Sequence, residues 1–321
     1  TIFDKTISII NYQKKTNIIK FAYCNFNLLE EEENKVGNGV ITTLDTTLQQ
    51  VASDALGSNK GAVVALNPKT GEVLAMVSKP TYNPNDLKSS MDAANAGSAD
   101  DSPLINRATA GLYPPGSTFK TITLTSALEN IGGITNRTFN DEGKIEFNDS
   151  HSLSNANNAV YGTIDLKEAF KVSSNVVFGT LAMELGNDKL KATAEDYGFN
   201  NSIEADGFTI ENSRFPTLKS YETGSIAQTG IGQSSILATP IQMALVSSTI
   251  ANDGKMMKPT LVSKIIDKDG NLVKTVEPRV LKQVIGSGDA SIIKDYMKNL
   301  VDSKINGSWS YFQGTDAAGK T

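Results

Sequence analysis

Residues 112–130 read LYPPGSTFKTITLTSALEN. Pro114 and Pro115 fix their own φ and offer no backbone donor, and Gly116 tolerates conformations closed to other residues. The chain therefore enters the next segment through a tight, rigid turn. From Ser117 to about Asn130 the apolar residues Phe119, Ile122, Leu124 and Leu128 predict a helix. Ser117 and Lys120 then stand at i and i+3 in its first turn, with both side chains on one face. A lysine kept neutral by burial or by neighbouring cations can take the proton of such a hydroxyl. The free N–H groups of a helix N-terminus favour negative charge developing beside it.

The pair is set in relief by what the chain lacks. Its 321 residues hold one histidine, His151, and one cysteine, Cys24. Unless His151 is the critical residue, hydrolytic or acyl-transfer chemistry here needs another base. One cysteine excludes an internal disulfide and a cysteine-based zinc site, so neither metal nor cofactor is expected. The net charge of −5, with no cluster of Lys and Arg, argues against a nucleic-acid partner. No segment reaches the roughly 18 unbroken apolar residues of a membrane span. Residues 1–29 are interrupted by Asp4, Lys5, Lys14, Lys15 and Lys20 and show no signal peptide.

Outward from residue 117, elements alternate in type. Residues 1–38 end in Glu30–Glu33 and a Gly-Asn-Gly turn, which reads as a linker or boundary. Asp45 is placed to cap a helix over 46–56. Runs 62–66 and 72–77 around Asn-Pro-Lys-Thr-Gly predict a β-hairpin, and 79–103 an irregular loop. Helical patterns recur at 164–171, 176–185, 187–197 and 240–252. Strands are predicted at 260–266 and 271–276, followed by a helix at about 289–304. Strands near both ends with a helical middle suggest a sheet subdomain carrying an inserted all-α subdomain.

Taken alone, Ser-x-x-Lys is a weak signal. Ser291-Ile292-Ile293-Lys294 repeats it in what reads as an ordinary helix turn, and Ser117 itself reads equally well as an N-cap. Two further elements bear on it. Ser173-Ser174-Asn175 lies between two helical segments; Ser173 is placed to relay a proton to or from Lys120, and Asn175 to bond a substrate amide. A cap for helix 176–185 is the plainer reading. Lys320-Thr321, preceded by Ala318-Gly319, offers a cation and a hydroxyl for a carboxylate. Lys69-Thr70-Gly71 is a fuller literal match, but turn chemistry explains it at the tip of the hairpin.

Ser-x-x-Lys, Ser-x-Asn and Lys-Thr in the order Ser117, Ser173, Lys320 resemble the signature shared by penicillin-binding proteins and class A β-lactamases. GAVVALNPKTGEVLAMVSKPTYNPN, LYPPGSTFK, EAFKVSSNVVFGTLAMELG and TGIGQSSILATPIQMALVSSTIANDG resemble the transpeptidase domain of class B, monofunctional penicillin-binding proteins over roughly residues 39–321. The resemblance implies an α/β (α+β) fold of the serine β-lactamase and penicillin-binding transpeptidase type. That fold is a mixed sheet flanked by helices plus an all-α subdomain, with the active site between them.

It implies that Ser117 attacks the D-Ala-D-Ala carbonyl of a peptidoglycan stem peptide with Lys120 as base. Ser173 and Asn175 would serve as relay and amide contact, and Lys320 and Thr321 as carboxylate contacts. β-Lactams would acylate Ser117 and leave slowly. Other cell-wall synthesis proteins are implied partners. An N-terminal anchor outside this chain would hold the catalytic domain on the extracytoplasmic side of the cell membrane, and residues 1–38 would be a membrane-proximal remnant. The sheet of this family needs strands beyond Thr321, so the chain is expected to be C-terminally incomplete. A serine β-lactamase and a non-catalytic, β-lactam-sensing domain remain the rivals. None of Glu204, Glu211 and Glu222 has the Asn three residues on that a class A deacylating site requires.

Overall fold

A computed structural model of the chain describes residues 8–12, 18–22, 37–97, 102–148 and 150–321. In chain order the elements begin with β1 (Ser8–Tyr12), β2 (Ile18–Ala22), β3 (Gly39–Thr42), α1 (Thr46–Leu56), β4 (Gly61–Leu66) and β5 (Val73–Lys79). Then come α2 (Leu87–Ala96), α3 (Arg107–Ala110), α4 (Lys120–Asn130), β6 (Thr138–Asp141), β7 (Lys144–Asn148), β8 (His151–Ser154) and β9 (Gly162–Asp165). The rest are α5 (Leu166–Lys171), α6 (Asn175–Asp196), α7 (Thr223–Thr229), α8 (Pro240–Ala251), β10 (Lys255–Met257), β11 (Val262–Ile266), β12 (Leu272–Thr275), β13 (Val280–Gln283) and α9 (Ser287–Lys304). They fall into two compact units. One takes the described residues up to Gly111 with Glu204–Ile210 and Lys258–Arg279; the other takes Leu112–Ile203, Glu211–Met257 and Val280–Thr321.

In the first unit, the antiparallel sheet has strand order β1-β2-β3-β11-β12. The predicted hairpin is β4 and β5, paired in register from Gly61↔Lys79 to Ala65↔Ala75. Alternation puts Val73, Ala75 and Val77 on its buried face. There they meet Leu48, Ala52 and Leu56 of α1. Asp45 caps α1 as expected, accepting from Thr47 N and Leu48 N at 2.9 Å each. Lys258, paired with Glu204 at 2.7 Å and Asp206 at 2.6 Å, ties the unit's separate chain segments together.

The second unit is built on α4. Its apolar residues Ile122, Leu124 and Ala127 are buried, and so are Thr121, Thr123, Thr125 and Ser126. A helix buried on all faces shows no clean amphipathic stripe. Thr123 Oγ1 donates to Gly230 O at 2.8 Å and Thr125 Oγ1 pairs with Tyr197 OH at 3.0 Å, whereas the buried Ser126 Oγ has no hydrogen-bond partner among the described residues.

Several elements differ from expectation. Segment 79–103 holds α2, whose Leu87 and Met91 are exposed, so no buried stripe marked it. Segment 138–165 holds four strands, β6 paired with β9 and β7 with β8. They are short and polar, and only Phe139 and Leu153 among their apolar residues are buried. The helix predicted from 164 starts at Leu166, because Asp165 is its N-cap, accepting from Glu168 N at 2.7 Å. The two helices predicted over 176–197 form one element broken at Gly186, where φ is 73°.

Candidate active site

The turn before α4 is stapled by backbone contacts. Tyr113 and Ala238 exchange N–H···O bonds of 3.0 and 2.8 Å, and Gly116 N donates to Gly232 O at 3.0 Å. Gly116 takes φ 57°. Phe119 is fully buried, edge-on to Phe199 at 5.6 Å and stacked on Phe215 at 5.8 Å. The α-helix itself begins at Lys120; Ser117 stands ahead of it in a 3-10 turn over Gly116–Phe119. With three residues per turn, positions i and i+3 eclipse. Ser117 and Lys120 therefore share a face more closely than an α-turn would place them.

Gly232 buttresses this turn. Its φ is +71°, and a Cβ there would lie 2.1 Å from Gly116 O and 2.7 Å from Phe119 Cβ. Backbone cannot give way as a flexible side chain can. Gly232→Ala is expected to cost about 2 kcal/mol or more from overpacking and the forced left-handed conformation. A thermal melt of the purified variant checks this; an unchanged melting temperature refutes it.

Lys120 is fully buried. Its Nζ lies 2.6 Å from Ser173 O, 3.1 Å from Ser173 Oγ and 2.8 Å from Asn175 Oδ1. Burial first, then the positive charge of Lys320, bring it down from 10.5 to about 6, against the raising effect of Asp141. At neutral pH the amine is therefore largely unprotonated, with two N–H donors and a lone pair. Lys320 Nζ donates to the same Ser173 Oγ at 2.8 Å. Burial, then Lys304, bring Lys320 down to about 8, so it keeps its proton at neutral pH. The consistent assignment has Lys320 donating to Ser173 Oγ and Ser173 O–H donating to the Lys120 lone pair. The Lys120 N–H groups then serve Ser173 O and Asn175 Oδ1. One hydroxyl thus bridges a cation and a neutral amine.

Local structure explains why Ser173 reaches both. Helix α5 ends in a left-handed residue, and that residue is Ser173, with φ 59°. Ser173 N donates to Phe170 O at 3.2 Å and Ser174 N to Ala169 O at 2.9 Å, the paired closure of a Schellman ending. Ser174, not Ser173, is the N-cap of α6, accepting from Val177 N at 2.9 Å. The expected capping role and the expected relay role thus fall on adjacent residues.

Around the motif runs a buried polar network with no sequence signal. Ser174 Oγ donates to Asp141 Oδ2 at 2.5 Å. Asp141 Oδ1 accepts from Gly143 N at 2.9 Å and Asn155 Nδ2 at 2.7 Å. Asn155 Oδ1 accepts from Asn175 N at 2.7 Å and Val176 N at 3.2 Å. Asn175 Nδ2 donates to Ser154 O at 2.8 Å, so both ends of its amide are engaged within the protein.

The structure thus brings Lys120, Ser173, Asn175 and Lys320 into one hydrogen-bonded set, all in the second unit. Ser117 is half-buried; among the described residues no hydrogen bond engages its Oγ. Thr321 is exposed, and its carbonyl accepts from Lys320 Nζ. The look-alikes stand elsewhere in their own settings. Lys294 pairs with Asp253 at 3.1 Å on the surface, and Thr70 bonds Glu72 at the hairpin tip. His151 is exposed at the β7–β8 turn, beside Asn148 and Ser150. No group of residues suited to a metal occurs among the described residues.

A serine-bearing turn, a buried neutral amine, a bridging hydroxyl and a retained cation suit acyl transfer to serine without histidine. Comparison with known proteins agrees. The profile of the penicillin binding protein transpeptidase domain matches residues 61–321. A peptidoglycan D,D-transpeptidase, PbpA of Mycolicibacterium smegmatis, is 37% identical over 276 residues, covering 81% of this chain and 56% of the relative. MrdA of Escherichia coli K12, also a peptidoglycan D,D-transpeptidase, is 31% identical over 300 residues, covering 88% of this chain and 47% of the relative. The chain spans about half the length of these curated relatives.

Solved structures are also similar. The D,D-transpeptidase domain from Eggerthella lenta superposes with a TM-score of 0.81 at 38% identity, covering 90% of this chain and 72% of that one. The penicillin G acyl-enzyme complex of penicillin-binding protein A from Mycobacterium tuberculosis gives 0.77 at 31% identity, covering 83% and 64%.

Proposed function

Since the chain belongs to the penicillin-binding transpeptidase-domain family, we propose that it crosslinks peptidoglycan stem peptides through an acyl-enzyme on Ser117. Ser117 Oγ attacks the carbonyl between the two terminal D-Ala residues, and its proton passes to Lys120 Nζ as the Ser173 hydroxyl turns away and frees the amine's lone pair. The C–N bond breaks, and the departing D-Ala amine takes a proton delivered through Ser173 Oγ. The amine of a neighbouring stem then attacks the ester, its proton returns by the same route, and Ser117 is released. Lys320, with Thr321, holds the terminal carboxylate of the donor. Asn175 fixes Lys120 and reaches the substrate amide by giving up one of its internal bonds. A β-lactam presents the same carbonyl and carboxylate and is held on Ser117.

The observation that supports this best is the buried Lys120 amine gripped by Ser173 and Asn175, one turn behind a half-buried serine. The test is incubation with a fluorescent penicillin, with mass mapping of the adduct. One stable adduct on the Ser117 peptide is expected, together with D-Ala release from a pentapeptide donor. Sustained nitrocefin turnover would instead identify a β-lactamase.

By the same reading, residues 39–321 are the transpeptidase domain and residues 1–38 a linker or membrane-proximal remnant. The catalytic domain works on the extracytoplasmic side of the cell membrane beside other cell-wall synthesis proteins. Among the described residues no helix is long and apolar enough to cross a membrane.

The relay assigned to Ser173 has its own test. Glycine is the residue best suited to its left-handed conformation, so Ser173→Gly removes the hydroxyl while favouring the turn. Penicillin acylation is expected to fall about 100-fold, within the range for proton-transfer groups, with stability kept or raised. An acylation rate equal to wild type would exclude the relay.

A further inference from the structure

We propose that Asp141 is a positioning residue for the Ser173-Ser174-Asn175 motif: its buried carboxylate grips Ser174 Oγ directly and, through Asn155, the first N–H groups of α6. The inference rests on the reading of Ser117 and Lys120 as the acylating pair. Asp141 is fully buried at the end of β6 and accepts three hydrogen bonds, one each from Ser174, Asn155 and Gly143. A buried carboxylate stays in place only when its lone pairs are served. Each of these partners is tied to one part of the site. Ser174 sits between the two residues that hold Lys120. Asn155 spends its carbonyl on Asn175 N and Val176 N, and its second amide hydrogen on Ala159 O at 2.9 Å. Gly143 opens the β7–β8 hairpin, whose Ser154 O fixes the Asn175 amide.

The end of β6 thus sets the position of the acceptors around Lys120, although it touches neither lysine. Its charge acts there too. The charges that bear on Lys120 Nζ are Lys320, from the C-terminal segment, and Asp141, from β6; they oppose each other, and Asp141 favours the protonated form. In the Ser-Asp-Asn form of the motif a carboxylate occupies the central position. Here Ser174 occupies it, and Asp141 brings a carboxylate to Ser174 from another strand.

Asp141→Asn keeps the shape and removes the charge. The experiment is the second-order rate of fluorescent-penicillin acylation across pH, with a thermal melt as control. The pH-independent plateau is expected to fall 10- to 100-fold. The acid limb is expected to move to lower pH, because Lys120 loses the charge that favours its proton. General loosening would let water reach Lys120 and move that limb upward instead. A plateau within twofold of wild type, or an acid limb that stays or rises, overturns the proposal. Should D141N not fold, Ser174→Ala removes the hydroxyl that Asp141 grips, and a plateau within twofold of wild type overturns the proposal equally. A wild-type protein that takes no label would defeat the assignment of Ser117 instead.

Discussion

Ser117→Ala is expected to take up no fluorescent penicillin at any concentration, with a melting curve that superimposes on that of the wild type. The loss is complete, not partial, because in the proposed mechanism Oγ is the atom that forms the ester, and no rearrangement of the turn supplies another. Folding is expected to survive because the Ser117 hydroxyl makes no hydrogen bond among the described residues. The turn is held by Gly116 N on Gly232 O and by the burial of Phe119. The informative failure is residual labelling. Ser173 Oγ, held between two lysines, is the competing hydroxyl, and peptide mapping of a labelled S117A protein would reveal it.

The second large effect is at Lys120. Lys120→Met fills the same buried space without an amine, and acylation is expected to fall by about 10³-fold. In the wild type the rate should rise with pH through about 6, as Lys120 loses its proton and gains its lone pair. It should fall through about 8, as Lys320 loses the charge that holds the substrate carboxylate. The acid limb should vanish in K120M and the alkaline limb remain.

Stability moves the other way. The folded value of Lys120 lies below its ordinary 10.5, so between about 6 and 10.5 the unfolded chain binds the extra proton, and wild-type stability rises with pH over that window. Replacing a buried amine by an apolar side chain should flatten this slope and raise stability near neutral pH. Chemical denaturation at two pH values checks both. An unchanged slope would mean that Lys120 is not the neutral amine of the site.

Much of this site was legible in order and type. Ser117 and Lys120 could be named because near absence of histidine points to a lysine as the candidate base, and Ser173, Asn175 and Lys320 because their order resembles the penicillin-binding signature. The β4–β5 hairpin and the cap of α1 were legible because alternation and capping are local rules. Asp141 and Asn155 were not. Each is one polar residue among many, and their partners lie 33 and 20 residues away, fixed only once β6 and the β7–β8 hairpin have formed. Strands β6–β9 escaped because each is only four or five residues long with one or two apolar residues, too short a run for alternation to stand out. The start of α4 was misplaced by three residues, because a 3-10 turn and an α-turn look alike in sequence until their hydrogen bonds are seen.

Ser173 Oγ meets Lys120 and Lys320 across sequence separations of 53 and 147 residues. Loops of that length close slowly relative to local structure and contribute nothing until both ends arrive. A chain that has its helices but has not brought residue 320 to residue 173 therefore has the proposed nucleophile and base without the cation proposed to hold a carboxylate. The rate at which a refolding sample gains β-lactam reactivity is thus a clock for this 147-residue closure, and it should lag the recovery of helical signal in the same sample.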